Sequence, residues 1–371
     1  MNAGRDDLHF MELALALGRR GLGRTWPNPA VGAVLVRRQA DGPVIVGRGW
    51  TQPGGRPHAE RQALDRAGSA ARGATLYVTL EPCSHHGQTP PCADALIAAR
   101  VAEVVSALED PNPHVAGEGH RRLAAAGIAV RVGIGAEAAR RDHAGHIAQM
   151  CAGRPHVTLK LAVSADGKAG LAGRRPAPIT GEAARTRVHL MRAMHDAVLT
   201  GIGTVQADDP LLTCRLPGMA DRSPVRIVLD ANLQIGLETR LVASARETPL
   251  WVVAGERAPP DRAQALAARG VEVLRVATRD GRLGLSATLK SLAARGITRL
   301  MVEAGPILAA AMLAADLVDS AALLRSPNAI GEDGLDALEG ISLTALTQSP
   351  RLELTRTESV SGDTIECFAR R

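Results

Sequence analysis

H-A-E-R-Q-A-L-D-R-A-G-S-A-A-R-G-A-T-L-Y-V-T-L-E-P-C-S-H-H-G-Q-T-P-P-C, residues 58–92, holds a His-x-Glu, a β-rich run and two cysteines nine residues apart. His58-Ala59-Glu60 opens a helix-like run, and Leu76-Tyr77-Val78-Thr79-Leu80 reads as a strand. Cys92 stands behind two prolines at the head of a second helix-like run, Ala93-Asp94-Ala95-Leu96-Ile97. A catalytic zinc takes three protein ligands of nitrogen and sulfur type and keeps a fourth position for water, a count that His58, Cys83 and Cys92 meet. Glu60 is left over for proton transfer. Nucleobase deaminases use this donor set to activate water against an amidine-type ring carbon, while a Glu that does not ligate carries the protons. The stretch predicts hydrolytic deamination with one zinc per chain. His-x-Glu alone is common in helices; order and context give it weight here. At a helix start the dipole lowers the pKa of a thiol, as ligation by Cys92 requires.

Residues 84–91 separate the cysteines by more than the two residues of the usual P-C-x-x-C signature, so they must loop out beside the metal. A loop rich in Ser, His, Gln and Thr suits a polar pocket. His85 is the expected substrate contact, and His86 an exposed loop residue.

Outward from this stretch, α and β patterns alternate. Residues 8–17 read as a helix behind Asp6 and Asp7, 31–36 and 44–46 as strands, 58–67 as a helix, and 75–80, 101–107 and 128–132 as further strands. The pattern weakens over 145–155, where Gly153-Arg154-Pro155 punctuates the chain. Residues 1–150 are therefore read as one layered α/β domain and 151–371 as another. Strands are expected near 157–163, 196–200, 225–229, 250–254, 271–276, 297–303 and 318–324, with helices between them. A chain of 371 residues has the length for two domains.

The net charge of +6 is spread evenly: residues 1–150 carry 17 Arg and 14 acidic groups, the remainder 27 basic and 24 acidic. Aromatics make up only 2% of the chain, too few for the stacking platforms that single-stranded nucleic acid needs. The expected partner is an anionic small molecule, with no nucleic acid and no membrane. No segment approaches a membrane span and no apolar signal stretch follows Met1, so the cytoplasm is the expected compartment. Cys151, Cys214 and Cys367 are far apart and are read as packing residues rather than a disulfide framework. Arg is used almost throughout; of three Lys, Lys160 and Lys168 flank one short segment, as if a compact ammonium were needed there.

In the second half, Gly201-Ile202-Gly203-Thr204-Val205-Gln206 begins like a dinucleotide fingerprint but lacks its third glycine, and Ala207-Asp208-Asp209-Pro210 is expected to break any following helix. Glu303-Ala304-Gly305-Pro306 sits between a strand and a helix of small residues, whose first N–H groups could hold a phosphate.

Several motifs together strongly resemble the bifunctional riboflavin biosynthesis deaminase/reductase family. They are E-P-C-S-H-H-G-Q-T-P-P-C from Glu81, P-N-P-A-V-G from Pro27, H-A-E from His58, D-P-N-P from Asp110, L-K-L-A-V-S-A-D-G-K from Leu159, G-T-V-Q-A-D-D-P-L-L-T-C-R from Gly203 and V-E-A-G-P from Val302. They span nearly the whole chain. The resemblance implies a cytidine-deaminase-like three-layer domain followed by a dihydrofolate-reductase-like α/β domain that uses NADPH. It assigns His58, Cys83 and Cys92 to zinc, Glu60 to proton transfer, and Asn28 and His85 to the pyrimidine. In the second domain it places Ala162, Pro178, Thr204, Asp208, Gly305, Pro306, Ile307, Leu308, Ala309, Ala310 and Ala311 against the cofactor. Pro176, Arg192, Leu212, Arg215 and Glu303 would face the substrate, the two arginines suiting a 5′-phosphate through forked hydrogen bonds. Asp110 and Asn112 are weaker candidates, since D-P-N-P is good turn chemistry in itself.

Two departures stand out. Gln88 replaces the Lys or Arg common in the family, and Pro176-Ala177-Pro178-Ile179-Thr180 replaces its Ser-x-Trp-Ile-Thr, removing a hydroxyl and an indole. Thr180 still offers an N-cap to the next helix. The expected protein is a homo-oligomeric enzyme that deaminates 2,5-diamino-6-ribosylamino-4(3H)-pyrimidinone 5′-phosphate and then reduces its ribosyl chain. The alternatives are a zinc-dependent nucleoside or tRNA deaminase with an unrelated C-terminal domain, and a purely structural zinc, against which the free Glu60 argues.

Overall fold

The structure, a computed structural model, describes residues 3–85, 90–113, 115–175 and 177–371. Its two compact units are Met1–Arg154 and Pro155–Arg371. No helix among the described residues is long and apolar enough to cross a membrane.

The first unit is built on strands β1 (Gly32–Gln39), β2 (Gly42–Trp50), β3 (Thr75–Val78), β4 (Glu103–Ser106) and β5 (Ala129–Val132). They lie in the order β2-β1-β3-β4-β5, antiparallel at the hairpin side and parallel from β3 to β5. Its helices are α1 (Ala3–Arg19), α2 (Ala59–Ala67), α3 (Cys92–Ala99), α4 (Glu118–Ala125), α5 (Ala136–Asp142) and α6 (Ala144–Ala152).

Side chains alternate along a strand, so five successive buried residues at the start of β1 require cover on both faces. Gly49 opposes Ala33 across the hairpin, and a Cβ on it would sit 2.2 Å from the carbonyl oxygen of Ala59 in α2. On the other face, a Cβ on Gly32 would sit 1.8 Å from the Ala14 carbonyl oxygen of α1. Helices thus press on both sides of the sheet, giving the three layers. Val34, Leu35, Leu76, Val104, Leu96 and Leu123 fill the core. Tyr77 faces α1, where its hydroxyl donates to Asp7 at 2.6 Å.

The weak pattern over 145–155 conceals a helix. Only Gly145 of α6 is buried, so no apolar stripe marks it in the sequence, and Gly153 in the left-handed region (φ 62°) ends it.

The second unit carries β6 (His156–Val163), β7 (Ala197–Gly201), β8 (Val225–Leu229), β9 (Leu250–Gly255), β10 (Glu272–Val276), β11 (Arg299–Glu303), β12 (Ser320–Arg325), β13 (Leu352–Val360) and β14 (Asp363–Arg370). They form one sheet in the order β10-β9-β8-β7-β11-β6-β12-β14-β13, parallel except for the C-terminal hairpin. That hairpin goes unrecognised in the sequence because β13 is an edge strand with most residues exposed, leaving little alternation to read. Helices α7 (Glu182–Ala193), α8 (Ile202–Asp208), α9 (Arg240–Ala243), α10 (Pro260–Ala268), α11 (Leu285–Ala294) and α12 (Pro306–Ala314) accompany it.

Two local expectations are corrected. A short helix, α8, does follow Gly201, stopping where Asp209 turns left-handed (φ 39°) before Pro210. Thr180 does not cap α7: Gly181 holds the N-cap position without a side-chain cap, and Asp363 Oδ2 of β14 accepts the Gly181 N–H at 2.7 Å.

Candidate active sites

His58 occupies the N-cap position of α2 in extended backbone, one residue ahead of the helix whose second residue is Glu60. Cys83 follows β3, and Cys92 is the first residue of α3. The Nδ1 atom of His58 lies 3.7 Å from Cys83 Sγ and 3.4 Å from Cys92 Sγ. The three ligand atoms all lie within 4.8 Å of one another. Tetrahedral zinc with its usual bond lengths would hold sulfur and nitrogen about 3.6 Å apart, a separation that these distances bracket. The donor set fits zinc, with sulfur and imidazole ligands on three segments.

Glu60 is 4% exposed. Burial pushes its carboxyl up to about 7, with His58 opposing and Cys83 reinforcing the shift. The Cys83 thiol is held down to about 4, first by the hydrogen bond from Cys92, while Cys92 is pushed well above 9.0 by the same bond and by burial. The more acidic thiol is thus Cys83, not the helix-start Cys92. Burial and donation to its partner outweigh the dipole at Cys92.

Asn28 Nδ2 donates to the Gly55 carbonyl at 2.9 Å, tying its turn to the loop that leads into His58. His85 is exposed. His86 and Gln88 lie outside the described residues. Asp110 Oδ1 accepts the Asn112 N–H at 2.9 Å and contacts His146 Nε2 at 3.0 Å, so D-P-N-P forms a turn as its chemistry suggests. A second metal-capable group, Glu81, Glu109 and His120, also clusters in this unit. Backbone N–H groups already occupy the Glu81 carboxylate, however: Asp110 and Gly117 at 3.0 Å on Oε2, Gly119 at 2.8 Å and His120 at 3.3 Å on Oε1.

In the second unit, Arg192 of α7 and Glu303 at the end of β11 form a forked pair, Nε to Oε1 at 2.6 Å and Nη2 to Oε2 at 2.8 Å. Nη1 of Arg192 donates to the Thr213 carbonyl at 3.0 Å. The fork expected to face a phosphate therefore faces Glu303. Burial alone would raise the Glu303 carboxyl, but Arg192 and then Lys160 hold it below 4.5. Lys160 lies opposite Glu303 in the β6–β11 register, and its ammonium also feels Asp208. Composition flagged Lys160 without giving it neighbours. Lys168, by contrast, pairs with Asp336 at 2.8 Å.

Leu212 is 3% exposed with φ 54°, a left-handed conformation unusual for a bulky residue. Arg215 is exposed. His189 escaped the sequence reading: it lies one helical turn before Arg192, and its Nδ1 sits 3.1 Å from the Thr213 carbonyl and 3.3 Å from the Arg215 nitrogen. Thr204 Oγ1 accepts the Gly305 N–H at 3.1 Å, joining the start of α8 to the turn before α12. Of the expected cofactor turn, Pro306, Ala309 and Ala310 are buried and Ile307 protrudes, 53% exposed. Ala162 is partly buried on β6, and Pro178 and Asp208 are exposed. Pro176 lies outside the described residues.

Residues 5–108 match the cytidine and deoxycytidylate deaminase zinc-binding region, and residues 155–365 match the RibD C-terminal domain. The riboflavin biosynthesis protein RibD of Escherichia coli strain K12 is 41% identical over 370 residues, covering 96% of this chain and 97% of the relative. The chain belongs to the RibD family. Solved RibD structures agree along the full length. Acinetobacter baumannii RibD is 35% identical, with a TM-score of 0.87 over 99% of both chains. A Thermotoga maritima structure described as a diaminohydroxyphosphoribosylaminopyrimidine deaminase/5-amino-6-(5-phosphoribosylamino)uracil reductase is 33% identical, with a TM-score of 0.85 over 100% of both chains. The fold is a cytidine-deaminase-like three-layer domain followed by an α/β domain of the RibD C-terminal type. A nucleoside or tRNA deaminase with an unrelated second domain finds no support, because that second domain is the RibD one.

Proposed function

We propose that the chain catalyses two consecutive steps of riboflavin biosynthesis. The first is zinc-dependent hydrolytic deamination of 2,5-diamino-6-ribosylamino-4(3H)-pyrimidinone 5′-phosphate; the second is NADPH-dependent reduction of the ribosyl to the ribityl chain. The observation that carries this reading is the His58–Cys83–Cys92 triangle with a buried Glu60 beside it, in one chain with a RibD C-terminal domain.

His58, Cys83 and Cys92 would hold the metal, and the chemistry it supplies there is Lewis-acid activation of water. Glu60 takes a proton from the attacking water and returns it to the departing amine, so that water and the ring amidine become a ring carbonyl and ammonia. A buried carboxyl raised toward neutrality suits both halves of that shuttle. Asn28 holds the loop before His58 and, with His85, contacts the pyrimidine.

In the second domain, bound NADPH would supply hydride for the sugar carbon, and the protein groups would position rather than react. The turn from Gly305 through Pro306, Ile307, Leu308, Ala309, Ala310 and Ala311, with Ala162, Pro178, Thr204 and Asp208, would hold NADPH. Its fit rests on the head of α12, where first-turn N–H groups suit a phosphate and Ile307 stands clear of the core. Glu303, held ionised by Arg192, would face the substrate with Arg215, Leu212 and Pro176. A cytoplasmic homo-oligomer completes the reading, with size-exclusion chromatography as the test of its assembly.

The deciding experiment incubates purified chain with the phosphorylated diaminopyrimidine and NADPH and identifies products by mass. Cys83→Ser should abolish the first conversion and leave reduction of supplied deaminated intermediate intact. Loss of both activities in a folded variant would contradict separate sites.

A further inference from the structure

The first turn of α4 carries no metal ligand, yet it grips both cysteine segments. Glu81, two residues before Cys83, has a side chain fully withdrawn from solvent and accepts the N–H groups of Gly119 and His120 at 2.8 and 3.3 Å. Its other oxygen accepts Gly117, just ahead of the helix, at 3.0 Å. Four backbone donors saturate this carboxylate, so it organises chain rather than binding an ion. Gly119 sits so close that a Cβ would lie 2.1 Å from the Pro82 carbonyl oxygen, between Glu81 and Cys83. One turn later, Arg122 reaches both sides of the metal triangle. Its Nη1 donates to the Ser84 carbonyl at 3.1 Å, next to Cys83, while Nε and Nη2 fork onto Asp94 at 2.7 and 2.9 Å, two residues past Cys92. The cysteine segments are also tied directly, Ala93 N–H to Cys83 O at 3.1 Å and Cys92 N–H to Cys83 Sγ at 3.3 Å.

We propose that the start of α4 is a clamp for the metal site, in which Glu81, Gly119 and Arg122 are positioning residues that hold Cys83 and Cys92 at ligating separation before zinc arrives. The physical reason is entropic: eight residues separate the cysteines in sequence, and a span of that length does not by itself fix the distance between its ends. Each contact of the clamp reaches a neighbour of a ligand, never the ligand itself, so its removal loosens the site while leaving every donor atom in place. Groups that orient metal ligands in this way typically alter affinity by about 10- to 100-fold when removed.

This inference rests on the zinc reading above, and the test separates the two. Zinc affinity of the full chain is measured by competition with a chromophoric chelator, alongside the visible spectrum of the cobalt-substituted protein and amide exchange of the metal-free form. Arg122→Met should raise the zinc Kd about 10- to 100-fold and alter the cobalt spectrum. Arg131→Met is the control: it breaks ion pairs to Asp7 and Glu103 in the same unit and should keep the parental Kd. Arg122→Lys, which can satisfy Ser84 or Asp94 but not both, should fall between and covers the case in which Arg122→Met does not fold. A parental Kd in the Arg122 variants, or an equal rise in Arg131→Met, overturns the clamp. A parent chain that binds no zinc overturns the metal reading itself.

Discussion

Removing Arg192 should expose how strongly the second site is held together by one ion pair. The pair is forked, 2.6 and 2.8 Å, with side chains only 12% and 10% exposed. Deleting one partner of a buried pair costs about 3–5 kcal/mol, because the other charge is stranded. Lys160 stays close to Glu303 and some solvent reaches the pair, so Arg192→Met should fall near the lower end, about 3 kcal/mol. Glu303→Gln keeps an acceptor for Arg192 and should cost about 1–2 kcal/mol. The double variant strands neither member of the pair, Lys160 keeping Asp208, and should be about 2 kcal/mol less destabilised than the singles summed. With two domains a single melting temperature is ill defined, so the readout is amide exchange of β11 and α7 in the full chain. The pH dependence has a definite sign. In the parent, Glu303 is depressed below 4.5, so the stabilisation is complete above that value and is lost only as pH falls through the depressed pKa. In Arg192→Met burial works against a weaker opposition and moves Glu303 upward, so the variant gains stability as pH falls through that raised pKa, and its gap from the parent narrows. Additive singles, within about 0.5 kcal/mol, would refute the pairing.

Glu60→Gln should retain one zinc per chain, read by elemental analysis, while deamination falls about 10²- to 10⁴-fold; loss of the metal would remove the proton-carrying role. Asp7→Asn removes the charge and one of the two oxygens that accept the Tyr77 hydroxyl and the Arg131 guanidinium at 2.6 Å, and should destabilise the first unit by about 1.5–3 kcal/mol near neutral pH. Burial alone would raise Asp7, but those partners hold it below 3.8, so the difference between parent and variant should vanish as pH falls through that depressed pKa, seen in exchange of α1 and β3 amides. Gly305→Val should abolish NADPH binding in a titration while circular dichroism stays normal. A Cβ there meets only Thr204 Oγ1 at 3.4 Å, a contact that the fold can absorb, whereas the branched side chain fills the approach to the turn. Normal binding would put the cofactor elsewhere.

What the sequence determined on its own is the local chemistry. Metal ligation selects residue types at short spacing, so His58, Glu60, Cys83 and Cys92 are legible as a set without any fold, and the structure brings the three ligands within 4.8 Å. A buried strand such as β9 declares itself because a continuous apolar run needs cover on both faces. Helix α6 and strand β13 stayed hidden because neither buries an apolar face large enough to leave a period. The tertiary structure alone decided everything that depends on residues far apart in the chain. Arg192 meets Glu303 across 111 positions, which is why its fork faces a carboxylate instead of open space. Asp363 accepts the Gly181 N–H just ahead of α7 from 182 positions away, a contact that nothing local to Thr180 announces. Glu81 reads as a motif neighbour of Cys83 until the fold brings α4 to it, and which cysteine is the acidic one turns on a hydrogen bond between them rather than on either position in the chain. Short-range spacing encodes which atoms can do the chemistry; long-range register decides which of them are already engaged.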